Sequence, residues 1–204
     1  MINGLNRKVW PALGTAAALA MSLAVSGCDN SSEAEPDTVP ESRLEFVPRR
    51  TAAPPLETMD TSFWAVKGQD RRLEIRYQGQ GGPGTGKEFL ELNIEEQTLL
   101  RRPDGTPFAE GDSIEIRVIV DPGLFLASFE PSGLAFNPNE PAKLELDYDE
   151  AEAEFLAREQ EFDLWRQEQA GEPWERLGTL QIEELDEIEV LLTGFTRYAL
   201  AVGR

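Results

Sequence analysis

The sequence predicts a mainly β protein: a single antiparallel β-sandwich with a short helical insertion, preceded by a signal peptide and a disordered tether. Three observations carry this reading. Short runs after Thr61 alternate apolar and polar residues, turn residues separate those runs at short intervals, and the first 60 residues show neither feature. Alternation puts one side of each run against a core and the other in water, and closely spaced antiparallel strands of that kind stack into a sandwich.

Residues 1–27 read as the signal peptide. Arg7 and Lys8 precede a small-residue apolar stretch, 9–25, and no acid occurs before Asp29. At 17 residues the stretch reaches the lower edge of a membrane span, so an uncleaved anchor is the alternative reading. Pro11, Gly14 and the small Ser26-Gly27 pair before Cys28 favour cleavage. Residues 28–60 are rich in Ser, Glu, Pro, Thr and Ala, too poor in large apolar side chains to offset the entropy of ordering, and are expected to form a disordered acidic linker. Within it, Leu44-Glu-Phe-Val47 has the composition of a short docking strand.

Residues 61–204 form the predicted domain. Strands are expected at 73–77, 90–94, 114–120, 144–148, 162–164, 177–182, 190–192 and 198–202. Turns fall at Arg102-Pro-Asp-Gly105, Glu110-Gly-Asp112, Asp121-Pro-Gly123, Glu130-Pro-Ser-Gly133 and Asn137-Pro-Asn-Glu-Pro141. The Ala-, Glu- and Leu-rich stretch 149–160 predicts the helical insertion.

Gly81-Gly-Pro-Gly-Thr-Gly-Lys87 matches the G-x-x-x-x-G-K part of a phosphate-binding loop, but Glu88 stands where a magnesium-binding hydroxyl is required. An alternating strand, not a helix, follows it. The stretch therefore reads as a hairpin connection, and no nucleotide partner is expected.

Val25-Ser-Gly27-Cys28 resembles a bacterial lipoprotein signal, cut after Gly27 and acylated on Cys28, the single cysteine. The resemblance implies a cell-envelope protein held to a membrane by its lipid. It leaves inner and outer membrane open, although Asp29 resembles an inner-membrane retention signal. Removing residues 1–27 takes two basic residues from 19 and none of 38 acids, which moves the formal charge from −19 to −21. Such a field excludes nucleic acid as a partner.

A second resemblance covers residues 88–204. Phe129-Glu-Pro-Ser-Gly-Leu-Ala-Phe136, the Pro141-led run to Tyr148, Trp165, Trp174 and Gly194-Phe-Thr-Arg-Tyr-Ala-Leu200 together resemble the ZU5-like β-sandwich modules of bacterial envelope proteins, ankyrins and netrin receptors. Some eukaryotic members cut themselves at a His-Phe-Ser segment. Gly194 stands at the His and Thr196 at the Ser, so a base is missing and no self-cleavage is expected.

The chain has no histidine, which removes the Ser-His-Asp and Cys-His arrangements and the usual zinc sites. Carboxylates remain. A calcium site is one expectation, on Asp147, Asp149 and Glu150, set against the plainer reading of a solvated helix face. An exposed ligand patch around Trp165 and Trp174, fit for a glycan, is another, set against burial in the core. A hydrolase built on two carboxylates is a third. The favoured reading is a non-catalytic structural or protein-interaction module without a cofactor, facing an envelope protein or glycan.

Overall fold

The computed structural model describes residues 37–177 and 186–204. Fourteen strands and one short helix follow in order: β1 (Thr38–Val39), β2 (Leu44–Phe46), β3 (Asp60–Val66), β4 (Arg71–Arg76), β5 (Glu88–Ile94), β6 (Leu99–Arg101), β7 (Ser113–Val120), β8 (Leu126–Glu130), β9 (Ala135–Phe136), β10 (Ala142–Asp147), α1 (Ala153–Leu156), β11 (Phe162–Gln167), β12 (Trp174–Arg176), β13 (Glu187–Leu192) and β14 (Arg197–Gly203). All pairings between these strands are antiparallel.

The larger sheet runs β1-β12-β11-β14-β8-β7-β3, with β2 added to β14, and the smaller runs β13-β10-β5-β4. β6 and β9 pair separately. Alternation determines which side chains meet. Leu144 and Leu146 of β10, Leu90 and Leu92 of β5, and Ile188 and Val190 of β13 point inward from the small sheet. Ile116 and Val118 of β7, Phe129 of β8, and Leu200 and Val202 of β14 enter the same cluster from the large sheet. Phe129 stacks on Phe195, while Tyr198 and Phe136 approach these two rings edge-on. The aromatic residues of the Phe129–Phe136 and Gly194–Leu200 segments are therefore core.

The segment expected as tether needs correction over residues 37–60. β1 pairs with β12, and β2 pairs with β14 beside the end of β8. Between them a 3-10 turn, Glu41–Arg43, carries the chain across the outer face of β11 and β14 as a strap. Leu44, Val47 and Leu56 are buried. Backbone pairing with strands more than 100 residues away and a second apolar cluster offset an ordering cost that this sparse composition could not meet alone. Residues 37–60 are therefore part of the folded unit, which was expected to start at 61.

The helical insertion is shorter than expected. Only α1 and a 3-10 turn, Glu159–Glu161, are helical within 149–160. Ala151 bridges to Arg49 and the Glu152 amide donates to Pro48, so the incoming strap holds the first part of the stretch extended. So short a helix has little intrinsic stability to resist that. Of the strand expected at 177–182, all but Leu177 lies outside the described residues, and the preceding strand is β12.

Candidate functional site

Asp147 ends β10, and Asp149 and Glu150 follow it in the loop and not on a helix; among the described residues the acids whose oxygens converge at metal-ligand spacing are others. Each of these three is already engaged. The Lys87 ammonium pairs with Asp149, Arg50 Nε lies 2.5 Å from Glu150 Oε2, and the Asp149 amide donates to Asp147 Oδ1 at 3.0 Å. Burial, with the neighbouring Asp149 charge, pushes Asp147 up to about 6 even though that amide bond opposes it. The buried Tyr77 hydroxyl lies within the field of these acids, and its own burial holds its pKa above the usual range. With Lys87 and Arg50 in place, two cations face three acids in a corner tying the β4–β5 connection to the end of β10, and two of the three expected calcium ligands already face a cation.

Lys87 belongs to the glycine-rich octet. The octet joins β4 to β5 as a hairpin connection, as expected. Within it the Gly84 amide donates to Glu57 Oε1 at 2.6 Å, so a carboxylate of the chain itself takes a backbone N–H that a phosphate-binding loop would direct at its ligand.

Trp165 and Trp174 are 4 % and 0 % exposed, which overturns the exposed patch. Both lie with Leu44, Leu126, Ala199 and Ala201 in the second cluster, on the outer face of the large sheet beneath the strap. Phe46 packs on Trp174, and Trp174 Nε1 donates to Glu41 Oε2 at 3.4 Å. Among the described residues, the exposed aromatic side chain is Trp64 on β3, at 56 %.

Thr196 and Gly194 follow from the fold too. The buried Thr196 hydroxyl donates to the Gln167 carbonyl and, at 2.9 Å, to that of Glu168. A Cβ on Gly194 would lie 2.7 Å from the Leu134 carbonyl oxygen. The position that a base would occupy has no room for a side chain.

A different group of acids dominates the small sheet's outer face. Register aligns Glu189 with Glu145, Glu145 with Glu91, and Glu91 with Glu74, a row of four glutamates across all four strands. Beside it runs a second row, Leu191, Lys143, Asn93 and Arg72. Glu187 lies opposite Asp147, and Glu88 opposite Arg76, so the twelve outward positions hold seven acids against three bases.

Like charges opposite one another on a sheet repel, and the local cations are spread accordingly. Arg72 pairs with Glu91 and, at 2.9 Å, with Glu74. Arg76 reaches Glu74 at 2.6 Å and Glu88 at 3.1 Å, and Lys143 pairs with Glu145. Oxygens of Glu74, Glu88 and Glu91 lie within 4.8 Å of one another, a spacing that would suit a metal ion, but these two guanidinium groups already bridge them.

Burial and neighbouring acids raise the proton affinity of two of these groups. Burial, then a hydrogen bond with Glu91, raises Glu88 to about 7. Burial, then a hydrogen bond with Glu145, raises Glu187 to about 7. Glu145 moves the other way: burial pushes it up, but hydrogen bonds from Lys143 and Glu187 outweigh that and hold it below the usual glutamate value.

Sequence reasoning missed this face, although its signal is present. Leu73-Glu-Ile75, Leu90-Glu-Leu92, Leu144-Glu-Leu146 and Ile188-Glu-Val190 repeat one apolar-Glu-apolar triplet. A fifth, Ile114-Glu-Ile116, lies on β7 in the other sheet. No protein-family model matches the chain, and neither a curated protein nor a solved structure matches it.

Proposed function

We propose that this chain is an envelope lipoprotein, cut after Gly27 and anchored through a lipid on Cys28, whose ZU5-like sandwich is a non-catalytic module that binds a cationic protein partner. The observation that carries the binding reading is the in-register row Glu189, Glu145, Glu91 and Glu74, with its surplus of acid over base. A face on which acids outnumber the bases that pair with them lowers the energy of an approaching basic surface and speeds encounter with it. Among the described residues no helix is long and apolar enough to cross a membrane.

The Glu145 and Glu187 pair, one carboxyl lowered and one raised, has the asymmetry of an acid and base couple. It favours a hydrolase less than a binding face, because the two groups share a hydrogen bond on an open sheet instead of flanking a cleft at the roughly 5 Å or more that glycoside hydrolysis uses.

The test is titration with a lysine- and arginine-rich peptide, with a glutamate-rich peptide as control, at two salt concentrations. Binding should be selective for the basic peptide, weaken as salt screens the face, and fall about tenfold in a Glu74→Gln, Glu189→Gln double variant. Equal binding of both peptides, or an unaffected variant, would end this reading. Anchoring is tested separately: Cys28→Ser should abolish labelling by a fatty-acid analogue and release the chain from membranes.

A further inference from the structure

Trp64 occupies the outer face of the large sheet, opposite the glutamate row. Its cross-strand neighbour is Glu115, and the Arg71 side chain donates to its backbone carbonyl at 3.1 Å, which fixes the base of the side chain. Trp64 stands at the margin, beyond Ser62 and Glu115, of an open depression of about 660 Å³ that is lined by those two residues with Ile114, Arg117, Glu130, Pro131 and Ser132. That volume falls within the range of small-ligand sites.

The polar groups lining this depression restrain one another. Arg117 donates to both oxygens of Asp60 at 2.8 and 2.5 Å, and to Glu130 at 3.4 Å. Ser62 donates to Glu115 Oε1 at 3.0 Å. The guanidinium holds Asp60 below its usual carboxylate value, so that group stays an acceptor. Carboxylate lone pairs and guanidinium N–H groups consequently alternate over a short distance, next to the flat apolar face of an indole. Arg117 is the one cation facing Asp60, Glu115 and Glu130, so this surface is anionic like the small sheet, and the exposed indole is what sets it apart.

We infer that Trp64 and the Ser62, Glu115 and Arg117 side chains beside it form a binding site for a neutral saccharide. A sugar ring matches both halves of the surface. Its C–H face stacks on the indole, and its hydroxyls, each a donor and an acceptor, pair with the fixed carboxylates and guanidinium. Acidic sugars are disfavoured by Glu115 and Glu130. The inference does not rest on the cationic partner proposed for the small sheet, and the variants used for the two readings do not overlap.

In a Trp10→Phe background, iodide quenching of tryptophan fluorescence isolates the site, because Trp165 and Trp174 are buried. The whole chain in detergent is titrated with maltohexaose, cellohexaose and hexa-N-acetylchitohexaose, and with a lysine-rich peptide of similar size. At least one oligosaccharide should protect Trp64 from iodide saturably, and Arg117→Gln should weaken that by about tenfold. In Trp64→Ala, isothermal calorimetry should show the same sugar bound at least about tenfold more weakly, with the melting temperature unchanged because the ring is exposed. No protection by any of the three sugars at about 10 mM, equal sugar affinity in Trp64→Ala, or protection by the peptide alone would each overturn the assignment.

Discussion

Phe46 meets Trp174 edge to face, with ring centroids 5.1 Å apart and planes inclined by 61°. One ring comes from the strap and the other from β12, so the contact joins residues 128 positions apart and closes the outer cluster. Phe46 is half-buried, hence Phe46→Ala should cost about 2 kcal/mol, at or below the low end for burying an aromatic ring. Urea unfolding should show a lower midpoint, and tryptophan emission of the folded protein should shift to the red as water reaches Trp174. An unchanged midpoint would show that the strap adds nothing to stability.

The small-sheet carboxyls predict an unusual pH response. Glu88 and Glu187 titrate near 7 and Asp147 near 6 in the folded chain, all above their ordinary values. The folded state thus binds more protons than the unfolded state between about pH 4.5 and 7, and stability falls as pH rises through that window. The melting temperature should be higher at about pH 5 than at about pH 8. Glu187→Gln, which imitates the protonated acid, should flatten the slope and raise stability at about pH 8 by on the order of 1 kcal/mol, or about 3 °C, after allowing for solvent screening. A wild-type melting temperature that rises steadily from pH 5 to 8 would contradict this.

Most of what the sequence withheld traces to the strap. Alternation at 73–77, 90–94 and 144–148 was legible because those strands bury one face only. Ala199, Ala201 and Trp165 alternate with core residues, yet they too are buried, because residues 37–46 cover the other face of their sheet. Its local signal is slight: Leu44-Glu-Phe-Val47 reads as a short docking strand and forms β2 on β14, but β1 is only two residues long and its composition does not mark it. Pro48 and Arg49, which follow that cover, override the helical preference after Asp149 through the Glu152 amide and the bridge to Ala151. The glutamate row was hidden differently. Each Glu is an ordinary outward residue on its own strand, and only the register, a long-range property, aligns four of them.

The resemblance around Gly194-Phe-Thr196 makes self-cleavage a fair question, and the geometry answers it with an expected outcome. Thr196 commits its hydroxyl proton to two backbone carbonyls, and no base adjoins it in sequence. The chain should run as a single band of mature length on a denaturing gel. Gly194→His should not restore cutting. It should instead lower the melting temperature, because its Cβ would sit 2.7 Å from the Leu134 carbonyl oxygen while that oxygen accepts the Phe195 amide at 3.0 Å. Two fragments joining near Phe195 in either protein would overturn this.

The octet at 81–88 contains glycines that matter for separate reasons. Gly84 has φ +78° and open space around its missing Cβ, so Gly84→Ala should cost about 1 kcal/mol, from backbone conformation alone. Gly86 needs no special φ, but a Cβ there would lie 1.6 Å from the Tyr77 carbonyl oxygen. Relief requires moving the end of β4, where the Tyr77 amide donates to the Lys87 carbonyl at 2.9 Å, and with it the Lys87 pairing to Asp149. Gly86→Ala should therefore cost about 3 kcal/mol, well beyond Gly84→Ala, and should also lose the Lys87 contribution. A double-mutant cycle with Lys87→Met measures this: the coupling energy should be near zero with Gly84→Ala and substantial with Gly86→Ala. Equal costs for the two alanines would mean that the loop is held by conformation only and that close approach to Tyr77 plays no part.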